Sequence, residues 1–114
     1  MNNWLVSELM TDPTLNAGSY HEFVRVAAMS AGMYSLAKGS ADTQRPHTED
    51  ELYYVVQGHA NIRVDDAEIS VQPGSLIFVA AHQTHYFHSI LEDLNVLVFF
   101  APAEYANRAA GSNG

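Results

Sequence analysis

Apolar and polar positions along this chain change places with a period of two far more often than with a helical period. Phe23, Arg25 and Ala27 alternate with Val24 and Val26, and residues 29–37 stay compatible with a strand up to the break at Lys38-Gly39. The run Leu52-Tyr53-Tyr54-Val55-Val56 is aromatic and β-branched and stops at Gln57-Gly58. Residues 60–64, the turn-prone Asp65-Asp66 and residues 68–71 follow, and the stretch from 52 to 71 reads as a β-meander. After Pro73-Gly74 come Leu76-Ile77-Phe78-Val79, then extended runs over 85–90 and 94–100 that end at Pro102.

Short strands spaced every 8–12 residues or so, separated by turn formers, predict an all-β barrel or sandwich. Residues 1–19 carry Asp12-Pro13, Asn16 and Gly18 and support at most a short strand or one helical turn, so they read as a lead-in segment. Residues 20–102 form the barrel domain, and 103–114, small and polar, read as a flexible tail. No internal repeat is visible.

A length of 114 residues allows one core. Thirteen acidic residues against five Lys and Arg give a net charge of −8, which repels nucleic-acid phosphate and anionic membrane surfaces alike. Cysteine is absent, so disulfides, thiolate nucleophiles and thiolate metal sites are excluded, and His and carboxylates are the strong ligands left. The N-terminus has no basic region ahead of an apolar run, and no stretch approaches the ~20 apolar residues of a membrane span, so a cytoplasmic location is expected.

Two spaced blocks carry the candidate chemistry. The first is Gly39, five residues, Arg45-Pro46-His47, three residues, Glu51, six residues, Gly58; the second is Pro73-Gly74 followed after an apolar strand by His85. Together they resemble the cupin superfamily over residues 30–101. In that pattern Gly39, His47, Glu51 and Gly58 fall on register, Arg45 occupies the first His position, Ser75 stands where Asp is common and His82 where Gly is common. The resemblance implies a double-stranded β-helix, or jelly roll, whose inward side chains His47, Glu51 and His85 hold a divalent transition metal. It implies oxygenase-like or isomerase-like chemistry on a small molecule.

Residue chemistry points the same way. Side chains two apart on a strand share a face, so 45 and 47 would point together, and Glu51 would join them across a hairpin. Two imidazoles and a carboxylate suit Fe, Mn, Ni or Zn and leave positions open to substrate or oxygen. An inward Glu51 needs a cation or donor, because burying it unpaired costs several kcal/mol; otherwise it is an exposed strand-start residue. Arg45 has no lone pair and cannot be a ligand. The centre then has three protein ligands plus water, or Pro46 turns the backbone so that Gln44 offers its amide oxygen, or no metal binds. Were Arg45 to face the cavity, its fork would suit a carboxylate or phosphate.

Tyr53 and Phe87 share strand parity with Glu51 and His85 and are expected to line the pocket or to be plain core. His82 and His88 read as rim or surface groups, and Gly58 and Pro73-Gly74 as turn determinants. The alternative to an enzyme is a binding or sensing module built on the same barrel. Edge-strand candidates near residues 20–37 lead us to expect a homodimer.

Overall fold

The computed structural model describes residues 2–11 and 19–107. After a short helix, α1 (Val6–Met10), come eight strands: β1 (Ser19–Val26), β2 (Met29–Leu36), β3 (Asp50–Gln57), β4 (Ala60–Val64), β5 (Ala67–Val71), β6 (Leu76–Val79), β7 (His85–His88) and β8 (Leu94–Ala101). They form two antiparallel sheets, β1-β2-β8-β3-β6 and β5-β4-β7, and the chain crosses between them to give a double-stranded β-helix. Helix α1 lies within residues 1–19, while Asp12-Pro13, Asn16 and Gly18 lie outside the described residues. None of the described helices is long and apolar enough to cross a membrane.

The period-two pattern decides which side chains are inside. On β3, Glu51, Tyr53 and Val55 are buried while Asp50, Leu52 and Tyr54 face outward; on β7, His85 and Phe87 are buried. Tyr53, Val55 and Phe87 meet Ile62, Val71, Ile77, Val79, Val96, Val98 and Phe100 in one core between the sheets. On the outer face, Leu9 of α1 packs against Met33 and Leu97 and covers the middle of the larger sheet.

The meander expected over 52–71 is not formed. β3 pairs with β6 and β8, whereas β4 pairs with β5 and β7 in the opposite sheet. The cause is Gly58, whose φ of +101° turns the chain out of one sheet and into the other. Only the β4–β5 hairpin, turning at Asp65 with a positive φ, follows the expected path. Residues 37–49 contain no strand, so the shared-face argument for positions 45 and 47 fails as well.

The segment after β8 was expected to be flexible from residue 103. Its first part, 103–107, docks on the body: Ala103 and Glu104 are buried, and Glu49 accepts the backbone N–H groups of Tyr105 and Asn107. Residues 108–114 lie outside the described residues.

Candidate metal centre

His47, Glu51 and His85 reach one point from three directions. Glu51 comes from the inward face of β3, His85 from the first position of β7 in the other sheet, and His47 from the loop before β3. One ligand atom from each lies within 4.8 Å of the other two. Glu51 Oε1 is 3.1 Å from His85 Nε2, and both side chains are almost wholly buried, with 1% of each exposed.

Backbone contacts hold these side chains. The His47 carbonyl accepts the N–H of His82 at 2.7 Å, so the turn at His82, an exposed residue with φ of 71°, clamps the His47 loop from outside. His85 Nδ1 lies 2.9 Å from the Gln83 carbonyl, which can only accept, so Nδ1 carries a proton and donates. Gln83 and Thr84 are themselves fixed by Asp65, whose carboxylate accepts from Gln83 Nε2 and from the Thr84 N–H. In the neutral ring the Nε2 lone pair of His85 therefore faces Glu51.

Both carboxylate oxygens of Glu51 are buried without a hydrogen-bond partner among the described residues. The 3.1 Å approach of His85 Nε2 is an electrostatic contact lacking hydrogen-bond geometry. An uncompensated buried carboxylate costs several kcal/mol, and a cation between it and two imidazole nitrogens removes that cost. Nitrogen and oxygen donors sharing one metal at about 2.0–2.2 Å would stand roughly 3–3.5 Å apart, and Glu51 Oε1 and His85 Nε2 are 3.1 Å apart. The residues fit a divalent metal.

The electrostatics divide the two imidazoles. Burial lowers the pKa of His47 and outweighs the nearby Glu51. Burial also works to lower that of His85, but the Glu51 carboxylate and the Gln83 carbonyl outweigh it, and the net shift is upward. Glu104 approaches His47 Nδ1 to 3.6 Å, and burial pushes its pKa up to about 7, aided by the charges of Glu51, Glu22 and Glu49.

A cavity of about 300 Å³ opens beside the cluster. Tyr20, Tyr34, Tyr53 and Phe100 form its aromatic wall, and Gln44, His47, Glu51 and Glu104 supply polar atoms. Tyr53 thus lines the cavity, and its hydroxyl donates to Gln44 Oε1 at 3.0 Å. Phe87 does not; it stacks edge-on behind Tyr53 with ring centroids 5.1 Å apart and belongs to the core. Arg45 is exposed and does not line the cavity beside the cluster; it lines a second hollow of about 470 Å³ on the other side of the loop, shared with Gln44, Pro46, His47 and Tyr105. His88 points to Glu68 on the opposite face of β7.

Sequence reasoning did not find Tyr20, Asp42 or Glu104. Gly32 was the available signal for Tyr20: a Cβ at that position would come within 2.5 Å of the Tyr20 ring, and an isolated glycine inside a strand marks such an approach. Glu104 sits in a stretch whose composition gave no sign of docking.

A family model described as "Cupin domain" matches residues 32–100. The chain is 43% identical over 104 residues to an uncharacterized protein of Streptomyces coelicolor, SCO3923, covering 91% of this chain and 99% of that one. It is 38% identical over 56 residues to the acireductone dioxygenase of Exiguobacterium sibiricum, covering 45% of this chain and 31% of the dioxygenase. Among solved structures, TT1209 from Thermus thermophilus superposes with a TM-score of 0.74 at 24% identity, over 90% of this chain and 99% of that protein.

Proposed function

This chain belongs to the cupin superfamily, and from that premise we propose that it holds a divalent transition metal through His47, Glu51 and His85 and acts on a small molecule bound beside it. The observation that carries this reading is the buried carboxylate of Glu51, which makes no hydrogen bond among the described residues and faces two imidazole nitrogens. A metal bound there supplies Lewis acidity or activation of water or dioxygen. Iron, manganese, nickel and zinc all suit such a donor set.

The protein's own side chains do the rest. The cavity lies at the small end of ligand pockets, so it takes a compact molecule. Its aromatic wall stacks that molecule against the centre, and the Tyr20 hydroxyl, buried and without a partner among the described residues, is placed to bond a polar substituent. Glu104, with its pKa near 7, can carry a proton at the His47 side. The partial match to a dioxygenase supports oxygen chemistry as one course open to such a centre. A binding module without turnover is the second reading, favoured by Arg45 in place of the first motif histidine.

Metal analysis of the purified protein beside its His85→Ala variant tests the proposal. Stoichiometric metal in the parent and loss in the variant is the expected result. A folded parent that takes up no divalent metal on reconstitution would sink it.

A further inference from the structure

We propose that Gln44 is a fourth protein ligand of this centre, through its side-chain oxygen, and that Asp42 fixes the amide in the liganding direction. The inference rests on the reading of His47, Glu51 and His85 as ligands and decides among the alternatives for the fourth position in favour of Gln44, from the spacer of the first block.

Gln44 Oε1 lies 3.4 Å from His47 Nε2 and 3.1 Å from His85 Nε2, the same nitrogen that Glu51 Oε1 approaches to 3.1 Å. The orientation of the amide follows from its neighbours. Its nitrogen is 2.6 Å from Asp42 Oδ2, and a carboxylate can only accept there, so the NH₂ must face Asp42. The oxygen is thereby turned into the cluster, where it accepts from Tyr53.

Asp42 is itself held firmly. Its Oδ1 accepts from the Tyr34 hydroxyl at 2.6 Å and from the Gln44 backbone N–H at 3.3 Å, and its Oδ2 accepts from the Phe87 N–H at 2.9 Å. Phe87 is two residues from His85 on β7, so the carboxylate ties the loop that carries Gln44 to the strand that carries His85.

With the Nδ1 proton of His85 committed to Gln83, the neutral rings and the oxygens of Gln44 and Glu51 face one another as acceptors. The Tyr53 hydroxyl donates into this group, and it serves Gln44. Acceptors converging in this way call for a positive charge between them. The loop places the motif's Arg45 in solvent and gives its vacated role to the neighbouring side chain.

The test uses the full chain, stripped of metal by chelator and titrated with Co(II), reading affinity by chelator competition and ligand field by visible absorption. Gln44→Ala and the near-isosteric Gln44→Met should each weaken Co(II) binding about tenfold or more and shift the absorption bands. Asp42→Asn should weaken binding roughly 10–100-fold and shift the bands in the same direction as Gln44→Ala, which a general loss of stability would not do. Wild-type affinity and unchanged bands in Gln44→Met, with binding lost in His85→Ala, would overturn the role of Gln44 and leave the three-ligand centre standing. Retention of wild-type Co(II) affinity in His85→Ala would remove the centre, and the inference with it.

Discussion

Glu49 Oε1 accepts the backbone N–H of Tyr105 at 2.7 Å, and the second carboxylate oxygen accepts that of Asn107 at 3.0 Å, which pins the segment after β8 beside the cavity. Only 2% of Glu49 is exposed, so these are charge-assisted bonds away from water. Glu49→Ala leaves two N–H groups without their acceptor and should destabilise the protein by about 2–4 kcal/mol. Urea unfolding of the variant beside the parent measures this. A loss below about 0.5 kcal/mol would show that the segment docks without Glu49.

Because the pinned segment carries Glu104, stability should depend on pH. Burial raises the folded pKa of Glu104 to about 7 from 4.5, so the folded state holds this proton more tightly than the unfolded chain. The stabilisation from that proton is complete below about pH 4.5 and is lost as pH rises through about 7. In chelator-treated protein, Glu104→Gln should be about 2 kcal/mol more stable than the parent at pH 8 and no more stable at pH 4.5. Denaturation at both pH values checks the sign, and an equal difference at the two would refute it.

The acidic run Glu49-Asp50-Glu51 marks the limit of what the sequence could disclose. Period-two alternation correctly sent Glu51 inward with Tyr53, and placed His85 inward with Phe87 on a distant strand, because parity is a local property. The same alternation could not show that Glu49 clamps residues 105 and 107 or that Asp50 accepts the N–H of Ala81, since those partners lie tens of residues away. Sheet membership of β4 was hidden for a related reason: strand pairing is non-local, and a hairpin is only the commonest outcome. The loop over 37–49 has no period, so the opposite fates of Arg45 and Gln44 became visible only with the contacts of Asp42.

Gly58 gives a test of the sheet crossover. Its φ is +101°, and a Cβ there would stand 2.5 Å from the carbonyl oxygen of Asp93 and 2.9 Å from the Cα of Leu94. Both obstacles are backbone and cannot swing aside. Gly58→Ala should cost roughly 2–4 kcal/mol from left-handed strain and overpacking together. Thermal unfolding measures it, and an unchanged midpoint would mean that the crossover tolerates a side chain.

Metal uptake should follow one imidazole before the other. Binding requires unprotonated rings, and His85, raised above the ordinary 6.5 chiefly because the Glu51 carboxylate and the Gln83 carbonyl overcome the effect of burial, still holds a proton somewhat above that value. Burial lowers the pKa of His47, so of the two rings it is the one that loses its proton at the lower pH. A metal entering at a pH below the His85 value must therefore displace one proton, and its apparent affinity falls about tenfold for each unit of acidification. Above that value the affinity is flat with respect to His85. Chelator competition with Zn(II) in steps of falling pH should give a slope that grows toward one proton before it grows toward two. A slope of two throughout would mean that His47 titrates with His85, and the division between the two rings would be wrong.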